Sequence, residues 1–215
     1  MKPKLSALLI AKDEERDLPG CLESLRGVAD EIVVVVDDRS ADATEALAAA
    51  AGAKILRRRF DNYASQRQAG LEAASGEWCL WIDCDETLGS TLRAELPEAL
   101  SSSRFDAWTI PFSVSFLGRT LRWGGLGSER HLRLFRREKA RFTGGGLHEE
   151  VKVDGRRGVL KGEMLHIPYR DLSDYLSKLD RYTTLAARKR FSAGAKSKAA
   201  KLKPRAEGQR RSLQV

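Results

Sequence analysis

The sequence predicts an α/β fold with a wound, mostly parallel sheet. Two observations lead to this prediction. Apolar segments of strand length alternate with helical segments through the first hundred residues, and acidic clusters follow three of the apolar segments. Ligands of open α/β sheets bind beyond the carboxyl ends of the strands. We therefore expect the acidic clusters to share one edge of the sheet and to line a ligand site.

The first half of the chain divides into strand and helix units that follow one another directly. Residues Leu5 to Ala11 read as a buried strand, and the next helix carries its apolar residues on one face. Asp42 and Glu45 have the spacing of a capping box, for a helix that ends at Gly52. The predicted strands are 5–11, 31–36, 54–56 and 78–82, and the predicted helices are 18–28, 42–52 and 64–75.

The second half departs from this alternation after a helix at residues 90–100. Residues 108–116 alternate apolar and polar side chains, which predicts a strand with one buried face. The remaining predicted segments are a loop at 118–130, a strand at 131–137, a glycine-rich flexible approach at 144–150, a strand at 159–167 that carries His166, and an amphipathic helix from Leu172. We predict no regular structure beyond Gly194.

The composition indicates a soluble globular protein in a reducing compartment. No apolar run approaches the length of a membrane span, and no signal peptide is evident after Met1, so a cytoplasmic location is expected. The three cysteines form no Cys-x-x-Cys pair, which argues against a zinc site.

The net charge of +8 is concentrated at the end of the chain. Residues 178–215 contain 12 Lys/Arg against 2 acids, a net +10, which leaves residues 1–177 at −2. A basic tail suits an anionic membrane surface or a nucleic acid. The acids of the body would repel nucleic acid, so we expect peripheral contact with anionic lipid on the inner face of the membrane instead.

Asp83 and Asp85 form an Asp-x-Asp pair at the end of the fourth predicted strand. On a continuing strand both side chains would point the same way, and two carboxylates on one face suit Mg²⁺ or Mn²⁺. The alternative is a solvated acidic turn. So many carboxylates near one edge need a divalent cation or cationic side chains among them. A cation there could bridge a nucleotide diphosphate, which indicates group transfer from a nucleotide-activated donor.

Six segments in this order make the sequence resemble the family two glycosyltransferases of the GT-A fold. Within that family it is most similar to the branch that includes lipopolysaccharide core β-glucosyltransferases. The segments are LSALLIAKDEERDLPGCLESL, ADEIVVVVDDRSADAT, SGEWCLWIDCDE, RLFRR, LHEEV and LHIPYRDLSDYLSK. The resemblance covers roughly residues 4 to 190.

The resemblance implies a role for each matching residue. Asp85 is the main metal ligand, with Asp83 beside it on the ribose and diphosphate side and His166 completing the metal shell. Arg67 approaches the diphosphate, and Glu149 is the general base of an inverting transfer. The remaining matches line the nucleotide pocket: Ala11, Asp13, Glu14, Asp37 and Asp38.

The resemblance also implies the domain organisation and the partners. Residues 1–100 would be the nucleotide-sugar-binding half and 101–170 the acceptor-side half of the same domain. The sequence pattern itself predicts the amphipathic helix at 171–193 and the basic, disordered tail at 194–215. The expected co-substrate is a nucleotide sugar, with UDP favoured, and a divalent cation is the expected cofactor. The expected acceptor is a hydroxyl of a cell-envelope glycan or glycolipid.

Two other functions fit parts of the sequence. A sugar-phosphate nucleotidyltransferase also uses a wound sheet and metal-binding acids, although its phosphate loop would contain Gly where this chain has residues 12–15, Lys-Asp-Glu-Glu. A binding module for anionic polymers or membranes would use the tail. At the level of single residues, His148 and His166 each fit a structural histidine as well as a functional one.

Overall fold

The computed structural model describes residues 4–121, 129–145 and 148–180, together with residues 183, 184, 187 and 191. The chain divides into two compact units, Met1–Pro168 and Tyr169–Val215. The first unit is an α/β domain around a curled sheet, which confirms the predicted fold class. The proposed divisions at residues 100, 170 and 193 remain predictions.

The predicted order of strands and helices is largely present, and several short strands are added to it. The helices are α1 Leu18–Leu25, α2 Thr44–Ala50, α3 Tyr63–Ala73 and α4 Ser90–Ser101. The strands are β1 Leu5–Ala11, β2 Glu31–Val36, β3 Lys54–Arg57, β4 Trp78–Trp81, β5 Glu86–Leu88, β6 Ala107–Phe116, β7 Arg119–Thr120, β8 Arg130–Arg136, β9 Ala140–Gly145, β10 His148–Val153, β11 Arg157–Val159 and β12 Met164–Tyr169.

The main sheet has the strand order β3-β2-β1-β4-β8-β6-β12-β5. Strands β3, β2, β1 and β4 are parallel, whereas β8 lies antiparallel to both β4 and β6. The chain runs outward from β1 to β3 and then returns to place β4 on the other side of β1. The strand order reverses there, so the carboxyl ends of β1, β2 and β4 meet at one edge, where ligands of such sheets bind.

The core explains why the central strands are continuous apolar runs. Strand β2 buries all four valines from Val33 to Val36, because helices cover both faces of a parallel sheet. Helix α1 buries Leu18, Cys21, Leu22 and Leu25, the spacing of one helical face. This packing anchors the loops at the ligand edge.

The capping box predicted at the start of α2 is wrong. The helix begins at Thr44, and its N-cap residue is Ala43, whose side chain makes no capping hydrogen bond. Asp42 instead accepts the N–H of Thr44 at 2.9 Å and the N–H of Glu15 at 2.9 Å, while Glu45 forms an ion pair with Arg57 at 2.6 Å. Asp42 therefore joins two loops at the ligand edge.

The single strand predicted over residues 159–167 is interrupted by a turn. The Glu95 carboxylate on α4 accepts the N–H groups of Lys161 and Gly162, at 3.0 and 2.8 Å. Gly162 lies so close to α4 that a Cβ atom would be 2.2 Å from the nitrogen of Leu92. The turn therefore docks on α4 and separates β11 from β12.

The glycine-rich segment predicted as a flexible approach is part of a β-hairpin. Strands β9 and β10 are antiparallel, with Glu149 opposite Gly144 and His148 opposite Gly145. The loop predicted at 118–130 contains the short strand β7.

The second unit contains a helix over residues 172–180, and residues 183, 184, 187 and 191 are also helical. Leu172, Leu176 and Leu179 are exposed at a spacing of four and three residues, which places them on one helical face. Among the described residues, no helix is long and apolar enough to span a membrane. The tail predicted at 194–215 lies outside the described residues.

Candidate active site

The loops after β1 and β2 interlock at the ligand edge of the sheet. The backbone N–H of Asp13 donates to Ser40 at 3.0 Å, and the Asp13 carboxylate accepts the N–H of Ala41 at 2.9 Å. The N–H of Glu14 donates to the hydroxyl of Thr44 at 2.7 Å. Asp13 has a φ of 56°, a left-handed conformation that Asp tolerates better than most residues. The bonds between the loops hold this conformation.

Asp37 is buried directly beyond β2, where its N–H donates to the carbonyl of Ala11 at 3.0 Å. Arg39 donates to both carboxylate oxygens, at 3.0 Å from Nε and 2.7 Å from Nη2, and its backbone N–H adds a third bond at 3.1 Å. These bonds hold the pKa of Asp37 well below its usual range. Asp38 beside it is exposed. The structure thus brings Ala11, Asp13, Glu14 and Asp37 together at the edge of the sheet, and their role in a nucleotide pocket remains a prediction.

Asp83 lies beyond β4 and is surrounded by donors. Arg67 of α3 donates to Oδ1 at 2.7 Å, the indole of Trp81 donates to the same oxygen at 3.2 Å, and Arg133 of β8 lies 3.4 Å from Oδ2. Burial alone would raise the pKa of Asp83, but the charges of Arg67 and Arg133 hold it below its usual range. Asp83 is therefore a charged carboxylate that orients the side chains of two arginines.

Trp81 packs against both of these arginines. The guanidinium carbons of Arg67 and Arg133 each lie 4.1 Å from the centroid of the Trp81 ring, within the range of a cation–π contact. Both arginine side chains are only 8% exposed. No role was predicted for Arg133 from the sequence, and Trp81 was not assigned to the site. The available signal was a charged residue flanked by Leu132 and Leu134 within a strand.

Residues 83–86 form a turn, so the predicted continuation of the strand through Asp83 and Asp85 is wrong. The N–H of Glu86 donates to the carbonyl of Asp83 at 3.1 Å, and the N–H of Asp83 donates to Glu86 Oε2 at 2.9 Å. Glu86 is 1% exposed and pairs through Oε1 with Arg133 at 2.7 Å. Burial raises the pKa of Glu86 to about 7, although Arg133 opposes this shift.

Asp85 faces His166 on the other side of the turn. Its Oδ2 lies 3.3 Å from His166 Nε2, and its carbonyl accepts the N–H of Ile167 at 3.0 Å. Burial lowers the pKa of His166, but the hydrogen bond and charge of Asp85 outweigh that effect and raise it. The sequence predicted both residues, and the pairing of β5 with β12 brings them together.

One ligand atom from each of Asp85, Glu86 and His166 lies within 4.8 Å of the other two. Two carboxylates and an imidazole fit a divalent cation such as Mn²⁺ or Mg²⁺. Both Glu86 oxygens already bond to Arg133 and to the N–H of Asp83, whereas Asp85 and His166 are 27% and 28% exposed. Asp85 and His166 are therefore the more accessible donors.

Glu149 lies on β10, in the hairpin that packs beside α3. Gln68 of α3 accepts the N–H of Phe142 on β9 at 2.9 Å, which ties the hairpin to the helix that carries Arg67. The backbones of His148 and Glu149 are paired in this hairpin. Their side chains lie outside the described atoms.

Residues 6–192 match the sequence model of a protein family that is described as "Glycosyl transferase family 2". The chain belongs to glycosyl transferase family 2. This confirms the resemblance seen in the six sequence segments. Family 2 membership accounts for the acidic clusters at the strand ends better than a nucleotidyltransferase or a binding module does.

The sequence alignments with two relatives cover most of the chain. The lipopolysaccharide core biosynthesis glycosyltransferase LpsC of Rhizobium meliloti (strain 1021) is 34% identical over 212 residues, covering 94% of this chain and 78% of the relative. The uncharacterized glycosyltransferase RT0209 of Rickettsia typhi is 26% identical, covering 90% and 70%.

Two solved structures share the family 2 fold. The 1–349 fragment of S. aureus TarS has a TM-score of 0.58 and 17% identity; the match covers 77% of this chain and 61% of that fragment, less than two thirds of it. Glucosyl-3-phosphoglycerate synthase from Mycobacterium tuberculosis, solved with Mn²⁺, UDP and phosphoglyceric acid, has a TM-score of 0.52 and 18% identity, with 83% and 75% covered. These likenesses support the GT-A fold.

Because of the Asp37–Arg39 pair, we expect the stability of the folded protein to depend on pH in the acidic range. Because Arg39 lowers the pKa of Asp37 in the folded state, this stabilisation is fully present above the unfolded value of about 3.9 and is lost as the pH falls toward the folded pKa. We expect the free energy of unfolding, measured with urea between about pH 5 and 3, to fall less steeply in Asp37→Asn than in the wild type.

Arg39→Gln is the matched control, since it removes the cause of the shift and leaves the carboxylate. It should weaken the dependence of the free energy of unfolding on pH, as Asp37→Asn does. Parallel profiles for the wild type and both variants would contradict the role of this pair.

Proposed function

We propose that the protein is a metal-dependent, inverting glycosyltransferase that moves a sugar from a UDP-sugar to a hydroxyl of a cell-envelope glycan or glycolipid. The observation that carries the proposal is the Asp85–His166 pair, which lies beside the Asp83–arginine cluster at the edge where the strand order reverses. A cation site next to the buried guanidinium group of Arg67 suits a nucleotide diphosphate.

The donor would lie along the carboxyl ends of β1, β2 and β4. The interlocked loops carrying Asp13, Glu14 and Asp37 would hold the nucleoside, with Asp38 at the exposed side of the pocket. Arg67 would approach the diphosphate from α3. The choice of UDP is supported by the structural neighbours, because TarS was solved with UDP-GlcNAc and the mycobacterial synthase with UDP.

The cation would be held by Asp85 and His166. When bound, a divalent ion offsets the charge of the diphosphate, including the charge that develops as it leaves. Asp83 was also predicted as a ligand, but its two oxygens bond to Arg67, Trp81 and Arg133. We therefore assign Asp83 to orienting Arg67 on the donor side. The Mn²⁺ and Mg²⁺ of the synthase structures are consistent with either ion.

Transfer would occur in a single displacement with inversion. The acceptor oxygen forms a bond to the anomeric carbon while the bond from that carbon to the diphosphate oxygen breaks, and the electron pair leaves with the nucleoside diphosphate. The Glu149 carboxylate takes the hydroxyl proton. A cell-envelope acceptor is supported by the name of LpsC, which describes lipopolysaccharide core biosynthesis.

The first prediction from this proposal concerns donor binding. We expect UDP-sugar with Mn²⁺ to raise the melting temperature by about 5–10 °C at a donor concentration near 100 Kd, because donor binding stabilises the folded state. Asp85→Asn should lose most of this shift. The control is Asp154→Asn at an exposed position directly after β10, and this variant should keep the shift. The proposal fails if a panel of UDP-, GDP- and ADP-sugars produces no Mn²⁺-dependent shift.

The second prediction separates donor binding from transfer. Glu149→Gln keeps the size of the side chain but removes the proton acceptor, so we expect transfer to fall by roughly 10²–10⁴-fold while the donor-induced thermal shift persists. The matched control is Glu150→Gln, which makes the same chemical change at the neighbouring residue of β10. If Glu149→Gln loses donor binding and transfer equally, Glu149 belongs to the donor pocket instead.

We further propose that the second unit contacts anionic lipid. The exposed Leu172, Leu176 and Leu179 form an apolar stripe, and the chain from residue 178 onward carries a net charge of +10. The full chain should co-sediment with vesicles that contain phosphatidylglycerol, and salt should weaken this binding. Replacing the three leucines with serine should reduce it. Equal binding to neutral phosphatidylcholine vesicles would contradict the electrostatic part of the proposal.

A further inference from the structure

We infer that Arg133 is a positioning residue: it holds the turn at residues 83–86 in the shape that presents Asp85 to the cation. The inference rests on the metal site of the proposed function. It assigns a role to a residue that lies about fifty positions away from the turn in the sequence.

Arg133 binds the side chains at both ends of the turn. Its Nη2 lies 2.7 Å from Glu86 Oε1, and both terminal nitrogens lie 3.4 Å from Asp83 Oδ2. The backbones of Asp83 and Glu86 are joined by the bond that closes the turn. One guanidinium group therefore spans the first and last residues of the turn.

Asp85 is the third residue of this turn, so its direction depends on how the turn is held. Its carbonyl is fixed by Ile167 and its carboxylate faces His166 at 3.3 Å. Arg133 makes its contacts on the Asp83 and Glu86 side. It therefore acts on the Asp85–His166 pair through the turn rather than by contact with a cation.

The surroundings of Arg133 keep its side chain in one place. The guanidinium carbon lies 4.1 Å from the ring centroid of Trp81 and 5.0 Å from that of Phe112, and the side chain is 8% exposed. A planar guanidinium can bond to two carboxylates while it stacks on an aromatic ring. A lysine ammonium keeps the charge but lacks that fork, so Arg133→Lys tests the geometry separately from the charge.

Arg136 on the same strand provides a matched control. Its guanidinium carbon lies 4.7 Å from the ring centroid of Trp78 on β4, and the side chain pairs with Glu77. It thus has the same kind of aromatic and acidic partners, at the end of β4 opposite the acidic turn. Arg136→Lys should alter local packing without altering the turn.

The test measures Mn²⁺ binding directly on the full chain without donor, from the electron paramagnetic resonance signal of free Mn²⁺. We expect Arg133→Lys to raise the Kd for Mn²⁺ by about tenfold or more, because residues that orient metal ligands typically contribute that much to metal affinity. In a transfer assay, the Mn²⁺ concentration for half-maximal rate should rise in the same proportion, while kcat at saturating Mn²⁺ stays within about threefold. Arg136→Lys should leave both quantities unchanged.

Each outcome bears on the inference differently. If the wild type binds Mn²⁺ and folded Arg133→Lys binds it equally well, the positioning role is wrong and the proposed metal site stands. If the wild type binds no Mn²⁺, even with UDP present, both the metal site and the inference fail. A loss of kcat at saturating Mn²⁺ with unchanged Mn²⁺ affinity would also overturn the inference, because it would place Arg133 at the reacting groups.

A second pair of variants is compared if Arg133→Lys does not unfold cooperatively in urea, because that variant would then not be properly folded. Glu86→Gln removes the buried carboxylate that a lysine would leave poorly paired. The double variant Glu86→Gln with Arg133→Lys should bind Mn²⁺ about tenfold more weakly than Glu86→Gln alone. Equal affinities in that pair would overturn the positioning role.

Discussion

The ion pairs between Asp83 and the buried arginines Arg67 and Arg133 are the constraint on which the rest of the site depends. Two guanidinium groups are stable out of water only when carboxylates balance them, and removing one partner of such a pair typically costs about 3–5 kcal/mol. Asp83 and Glu86 provide these carboxylates. The pairs join α3, β4 and β8, three elements that are distant in sequence. The shape of the acidic turn follows from this junction.

The parallel strands and the antiparallel strands contribute different residues to the ligand edge. The parallel strands bring the loops after β1 and β2 together. Hydrogen bonds between backbone N–H groups and side-chain oxygens hold Asp13 there, and Arg39 keeps Asp37 ionised. The antiparallel strands β8 and β12 add Arg133 and His166 from the second half of the first unit. In the proposed function, the first half would provide a pocket for the nucleotide, and the second would complete the cation site.

The features that could be predicted from sequence were those carried by local patterns. Continuous apolar runs such as Val33 to Val36 predicted buried strands, and the acids after them marked the ligand edge. The turn at residues 83–86 could not be predicted, because it depends on bonds to Arg133. The break between β11 and β12 depends likewise on the contact of Gly162 with α4. Both depend on pairing between distant parts of the chain, which a sequence pattern does not contain.

The most direct test of this account is a crystal structure with Mn²⁺ and UDP, in which anomalous scattering locates the metal. The account predicts a peak within ligand distance of Asp85 and His166, with Asp83 still paired to Arg67 and Arg133. A metal bound to Asp83, with the arginines displaced from its carboxylate, would contradict it.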